Sequence, residues 1–288
     1  MDIFEEVVRL RREGIPAALA TIVATRGSTP GRESMRLLVL EDGTFLGTVG
    51  GGCLEAEVYE AALEAIRTEA SNTLQFRLTE DESPDSGLMC GGEVTVFVEP
   101  ITAPALWIFG GGHVSKALCQ VATMAGFRVT VVDDRPAYAG AERFPEALST
   151  VAAPYPEAVG QMPMQANTYA VVVTRGHQED GTVLEELGRR WQAGERCRFV
   201  GMIGSRTKQK LLFSRLREAG VDEAYLDFVR TPVGLCIGAR SHEEIAVSVV
   251  GELVSVRRTG ETAATAWEAR RLARKSPGKP LRGGAESA

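Results

Sequence analysis

Leu106-Trp107-Ile108-Phe109-Gly110-Gly111-Gly112-His113-Val114-Ser115 reads as an apolar strand, a glycine turn and the first turn of a helix. Gly110 permits a tight turn. Gly112 lets the backbone come close to a pyrophosphate, which then rests on the free N–H groups of the helix. The helix is predicted over His113–Ala125, with Val114, Leu118, Val121 and Ala125 on one face. The next strand, Arg128–Val132, runs into Asp133-Asp134, so Asp133 stands 23 residues beyond Gly110. That is where a dinucleotide-binding unit places the acid that reads ribose hydroxyls. Gly110, Gly112, His113 and Asp133 are therefore the candidates for nucleotide or phosphate binding. Asp133 points to NAD, and Arg135 beside it keeps a 2′-phosphate, hence NADP, open. The third glycine of the fingerprint is replaced by Ser115, still small enough for helix–strand packing.

Working outward, strands are expected near Thr150–Ala152, Ala170–Thr174 and Arg198–Ile203, and helices near Thr182–Ala193 and Ser205–Ala219. Ser241-His242-Glu243-Glu244 is a capping box opening a helix to about Val256. Alternating strands and helices predict a Rossmann-like, doubly wound parallel sheet over residues 104–257. Gly204 and Ser205 form a second strand–glycine–helix junction, where Ser205 caps the helix and Lys208 offers charge to a bound anion. Thr174-Arg175-Gly176-His177 follows a further strand on the same edge, and His177 is one of three histidines.

Residues 1–100 have a different rhythm. An amphipathic helix is expected over residues 2–12, capped by Asp2 and stopped by Gly14. Ala17–Thr25 is an apolar strand leading to the loop Arg26-Gly27-Ser28-Thr29-Pro30-Gly31. Arg36–Leu40 and Thr44–Val49 form a hairpin turning at Asp42-Gly43. After Gly50-Gly51-Gly52, Leu54, Val58, Ala62 and Ala65 recur at helical spacing to about Glu69. Leu74–Leu78 and Val94–Val98 alternate like strands. The expected architecture is α/β overall, a smaller α+β domain preceding the parallel one.

Hydrophobic residues at 44% and charged residues at 24% mark an ordinary globular chain, not a disordered or fibrous one. No apolar run has the length of a membrane span. The acidic start Met1-Asp2-Ile3-Phe4-Glu5-Glu6 does not read as a secretory leader. The net charge of −6 divides unevenly: residues 1–100 carry 8 basic and 18 acidic side chains, a net of −10. That excludes nucleic-acid binding by bulk charge. From Arg257 onward there are 8 basic and 3 acidic residues, and residues 258–288 read as a basic, disordered tail.

The five cysteines, at 53, 90, 119, 197 and 236, form no CxxC pair and point to a reducing cytoplasm. Cys119, Cys197 and Cys236 lie inside helix or strand patterns and are expected to be buried. Cys53 follows three glycines at an expected helix start, where helix N-termini favour thiolates, although Glu55 and Glu57 oppose the effect. Cys90 precedes Gly91-Gly92, and glycine-flanked backbone is what close approach to a ligand requires. Both are expected to share one site.

These segments carry a resemblance. Gly27-Ser28-Thr29-Pro30, Gly47-Thr48-Val49-Gly50-Gly51-Gly52-Cys53-Leu54-Glu55 and Cys90-Gly91-Gly92 resemble the N-terminal domain of the xanthine dehydrogenase accessory protein family, XdhC/CoxI. Trp107–Val114, Asp133-Asp134-Arg135-Pro136, Thr174–His177, Gly201–Arg206 and Thr231-Pro232-Val233-Gly234-Leu235 are similar to its Rossmann domain. The sequence departs from the family at Gly31–Arg36 and at Ser115. The resemblance implies a homodimeric, non-catalytic maturation factor. Such a protein holds molybdenum cofactor, the molybdopterin complex, while a cysteine desulfurase provides sulfur. It then delivers the cofactor to a xanthine dehydrogenase-type molybdenum hydroxylase apoenzyme. On that reading Cys53 and Cys90 handle molybdenum or sulfur. The alternative is an NAD(P)-dependent oxidoreductase whose small N-terminal domain binds substrate and whose proton donor is His177.

Overall fold

The computed structural model describes residues 2–77, 92–101 and 103–259. Cys90, the acidic loop before it and nearly all of the C-terminal tail lie outside them.

The first part of the chain builds an antiparallel sheet in the order β3-β2-β1-β5-β4. Its strands are β1 (Ala17–Arg26), β2 (Arg36–Leu40), β3 (Phe45–Gly47), β4 (Asn72–Arg77) and β5 (Glu93–Pro100). Period-two alternation along β1 divides its side chains between two helices. Ala18, Ala20 and Ile22 pack under α2 (Gly52–Thr68), against its Leu54, Val58, Ala62 and Ala65. Ala17 and Leu19 face α1 (Ile3–Glu13) and its Leu10. As the sequence predicts, Asp2 caps α1 by accepting from the Phe4 N–H, and Gly14, at φ 78°, ends it.

The second sheet is wholly parallel, ordered β10-β9-β6-β7-β8. Its strands are β6 (Ala105–Phe109), β7 (Arg128–Asp133), β8 (Ser149–Ala152), β9 (Thr168–Val172) and β10 (Phe199–Met202). The inner strands β6, β7 and β9 are buried along almost their whole length because both faces are covered. On one face lie α3 (His113–Met124) and α8 (His242–Thr259), closing over Leu106, Ile108, Val131 and Val171. On the other lie α4 (Tyr155–Gln161), α5 (His177–Gln192), α6 (Arg206–Glu218) and α7 (Glu223–Phe228), over Phe109, Ala170, Val172 and Val200. The expected α/β class and parallel sheet are what the chain forms.

Three helical details differ from the sequence reading. α5 begins at His177, five residues before the expected Thr182. Gly181 argues against helix on propensity, but a side chain there would crowd Leu212 of α6 at 3.1 Å, so tertiary packing overrides the propensity. α4 is not expected because Pro156 and Gly160 break its pattern, yet proline is tolerated in a first helical turn. α7 is six residues long, capped by Asp222 accepting from the Ala224 N–H, and too short to show a period.

The two sheets meet end to end. Arg128, which opens β7, donates to the Arg12 carbonyl at the end of α1. Arg198, just before β10, donates to the Arg67 carbonyl near the end of α2. Ala166, just before β9, donates to the Glu41 carboxylate beyond β2. Arg257 and Arg258, near the end of α8, bind Glu69. Every one of these contacts uses the amino edge of the parallel sheet.

Candidate functional site

The strand order reverses between β6 and β9, and in open parallel sheets ligands bind in the crevice outside the carboxyl ends at that switch. Gly110, Gly111 and Gly112 lie there, with three different reasons for glycine. Gly110 has φ 116°, and a Cβ on it would sit 2.2 Å from the Val173 carbonyl oxygen. A Cβ on Gly111 would meet the Tyr138 carbonyl oxygen at 2.0 Å. Gly112 is extended, at φ −73°, and a Cβ there would meet nothing within 4 Å. The space above Gly112, at the N-terminus of α3, is therefore open, as a phosphate would need.

Asp133, at the end of β7, is fully buried. Its Oδ2 accepts from the Gly111 N–H at 2.8 Å and from Arg135 Nη2 at 3.0 Å. Its Oδ1 accepts from the Arg135 N–H at 3.0 Å and from Arg135 Nε at 2.8 Å. Burial pushes this carboxyl up, but Arg135 and the two backbone N–H groups outweigh burial and hold it below the ordinary carboxylate range. Asp133 thus fixes the glycine turn to β7 and already accepts from four protein donors. Asp134, next along, is clamped bidentately by Arg175 at 2.9 and 3.0 Å.

Asp133→Asn is expected to leave the partly exposed Arg135 with only Asp134 nearby and cost about 1–2 kcal/mol, below the scale for a fully buried pair. A carboxyl with a depressed folded-state pKa contributes stability above its unfolded pKa, near 4. That contribution is lost as pH falls through the lower folded value. Urea unfolding from pH 7 to pH 3 should show the wild-type advantage over Asp133→Asn shrinking at the acidic end. A constant difference across that range would refute the assignment.

Around the turn stand Arg143 and Tyr138, which sequence reading did not find, together with candidates that it did. Arg143 donates through Nε to the Gly111 carbonyl at 2.9 Å. Both Arg135 and Arg143 lie over the Tyr138 ring, at 3.7 and 5.2 Å from its centroid. His113, exposed at the first position of α3, stacks on His242 at the start of α8, with centroids 5.4 Å apart. His177 is exposed at the first position of α5. Gly204 precedes Ser205, which caps α6 by accepting from the Lys208 N–H at 3.2 Å. The Lys208 ammonium pairs with buried Asp180, which also accepts from the Thr174 hydroxyl at 2.6 Å. The Lys208 charge is thus paired with Asp180.

A second glycine constellation lies at the far end of the antiparallel sheet. Gly50, Gly51 and Gly52 all have positive φ and lead into α2, where Cys53 is exposed. A Cβ on Gly50 would press on the backbone of Pro30 and Gly31, and one on Gly31 would strike the Val49 carbonyl at 2.4 Å. A Cβ on Gly92 would strike the Arg26 and Ser28 carbonyls. Three loops separate in sequence thus close on one another at backbone distance. Glu55 accepts from the Thr48 hydroxyl and the Val49 N–H, fastening the turn to its own helix. Beyond this seal, a Cβ on Gly51 or Gly52 would meet nothing within 4 Å. Cys119 and Cys197 are buried as expected, and burial first of all raises their thiols, to about 11 and about 12. Cys236 corrects the reading: it is exposed, in the loop before α8, because Gly234 and Gly238 break what looked like a strand. No cluster of three metal-ligating side chains occurs among the described residues.

The two constellations face opposite ways. Ala17, at the start of β1, lies at the junction end, and the Cys53 loops lie beyond Arg26 at the other end. The glycine turn lies at the carboxyl edge of the parallel sheet, and the junction uses its amino edge. With about 3.3 Å per strand residue, β1 and β6 together put the sites on the order of 40 Å apart within one chain.

Residues 106–253 match the XdhC Rossmann domain, and residues 10–77 match the XdhC and CoxI family. The chain is similar to YqeB of Escherichia coli K12, 33% identical over 259 residues; the match covers 89% of this chain and 46% of YqeB, so the chain spans about half that relative's length. It is 25% identical to a probable xanthine dehydrogenase subunit of Bacillus subtilis 168, covering 84% of this chain and 93% of that protein. It is 24% identical to the molybdenum cofactor insertion chaperone PaoD of E. coli K12, covering 85% and 84%. With the Gly110–Gly112 turn and the Gly50–Cys53 turn inside the two matched stretches, the chain belongs to the XdhC and CoxI family.

Proposed function

We propose that this protein carries molybdenum cofactor and delivers it to a xanthine dehydrogenase-type hydroxylase, acting as a homodimer in the cytoplasm. The observation that carries the reading is the sealed three-loop turn that presents an exposed thiol, Cys53, at the open end of the antiparallel sheet. The kinship with a cofactor insertion chaperone and with a probable component of xanthine dehydrogenase supports it. A thiolate is a soft ligand suited to molybdenum–sulfur chemistry. Positive-φ glycines bring backbone N–H groups near a ligand without side chains in the way. Cys90, close in sequence to Gly92, joins Cys53 on this reading. A cysteine desulfurase would supply sulfur as a persulfide: the Cys53 thiolate attacks its outer sulfur, forms a new S–S bond and releases the desulfurase thiolate.

The oxidoreductase reading draws support from the glycine turn and from His177 on the same edge. Its substrate domain, however, would have to cover the carboxyl edge, whereas the N-terminal sheet is joined to the amino edge.

Native mass spectrometry of the chain purified from cells that make molybdopterin is the test. The expected result is a molybdopterin-sized increment, together with activation of an apo-hydroxylase on mixing. A chain that carries no pterin, activates no hydroxylase and turns over a nicotinamide unaided would overturn the proposal.

A further inference from the structure

We infer that the parallel-sheet crevice selects a dinucleotide bearing a 2′-phosphate, NADP(H), over NAD(H). An ionised carboxylate offers about four lone-pair sites. Asp133 receives four protein donors: the Gly111 N–H, the Arg135 N–H, and Nε and Nη2 of Arg135. It is also fully buried. A ribose diol, which needs an acceptor for its two hydroxyl protons, finds none there. Asp134 is held bidentately by Arg175, whose Nε also binds Glu179, and that triad ties the end of β7 to the start of α5.

Beside the turn Arg135 and Arg143 offer outward donors, next to Asp134, which lies 3.8 Å from Arg135 Nε and is already clamped by Arg175. The Arg135 side chain is 35% exposed and fixed from two directions, by Asp133 and by the Tyr138 ring. Arg143 is anchored through Nε to the Gly111 carbonyl, and its two Nη groups make no bond to the described residues. Both guanidiniums are held against one aromatic ring, which limits the rotamer freedom each would lose on binding a phosphate. A fixed pair of guanidiniums recognises a phosphate dianion by charge-assisted bonds. The residues just beyond the second strand of such a unit border the adenosine ribose, where a nearby arginine accommodates a 2′-phosphate. Asp133 is accordingly a positioning residue, and Arg135 and Arg143 set specificity.

This inference rests on the glycine turn taking a dinucleotide and is independent of what the N-terminal sheet carries. Calorimetric titration of the full chain with NADP+, NAD+, 2′,5′-ADP and 5′-AMP tests it. NADP+ should bind at least tenfold tighter than NAD+, and 2′,5′-ADP at least tenfold tighter than 5′-AMP. Arg143→Gln and Arg135→Gln should each lower NADP+ affinity by a larger factor than NAD+ affinity, bringing the two together. If Arg135→Gln fails to fold, Arg143→Gln carries the comparison. Equal or tighter NAD+ binding, no binding of either dinucleotide, or a preference surviving Arg143→Gln each overturns the inference. NADP+ selectivity in a chain that holds no pterin would leave it standing while the carrier proposal fails. NAD+ parity with intact cofactor delivery would do the reverse.

Discussion

Cys53→Ala is expected to lower molybdenum-cofactor retention tenfold or more and leave the partner hydroxylase inactive, with dinucleotide affinity unchanged. Among the described residues, Cys53 is the exposed thiol at a turn closed largely by backbone contacts. Alanine keeps the backbone and removes the metal- or sulfur-binding atom. The variant should fold normally, since Cys53 is exposed and sits outside the cluster formed by Leu54, Val58 and Ala62. Sites that share no partners contribute independently, and at a separation on the order of 40 Å the two constellations share none. Cys236→Ala is the matched control, a second exposed thiol in the other part of the chain. Molybdenum content of the purified variants and turnover of reconstituted apo-hydroxylase are the measurements. Full retention and full reconstitution by Cys53→Ala would refute the role. Loss on Cys236→Ala instead would move it to the parallel-sheet edge.

What was legible in the sequence was whatever repeats or caps locally. The period of α2, the Asp2 and Gly14 signals of α1, the strand–turn–helix at Gly110 and the capping box before α8 each announce themselves within a few residues. What was hidden depends on distant partners. The saturation of Asp133 needs Arg135 to fold back and Gly111 to lie against it, and no spacing rule encodes a carboxylate's remaining acceptor capacity. Arg143 joins the turn across 32 residues through one bond to a backbone carbonyl. The His113–His242 stack joins two helix starts more than a hundred residues apart. Cys236 misled because Leu235 and Ile237 flank it like strand residues, while Gly234 at φ 106° and Gly238 at φ 81° turn the chain. The end-to-end junction left no local trace either, since it is made mainly of arginines reaching carbonyls and carboxylates at distant helix ends.

The glycine turn itself gives the sharpest separation between folding and binding. Gly110→Ala and Gly111→Ala should each cost about 3 kcal/mol or more. Overpacking against flexible side chains already costs about 1–3 kcal/mol, and here the new Cβ meets backbone carbonyl oxygens at 2.2 and 2.0 Å. At Gly110 the positive φ adds strain. Gly112→Val should behave in the opposite way. Its backbone is extended, its surroundings are empty, and a side chain there costs about 1 kcal/mol at a helix cap. The fold should therefore survive with a melting temperature lowered by only a few degrees, about 2–4 °C per kcal/mol for a chain of this size. Dinucleotide binding should fall a hundredfold or more, because the valine methyls fill the space a pyrophosphate needs over the first turn of α3. Thermal melts and calorimetric titration of the three variants distinguish the cases. A Gly112→Val protein that melts normally and binds both dinucleotides with unchanged affinity would show that no phosphate rests on this turn. A Gly111→Ala protein as stable as the wild type would show that Tyr138 does not press on it.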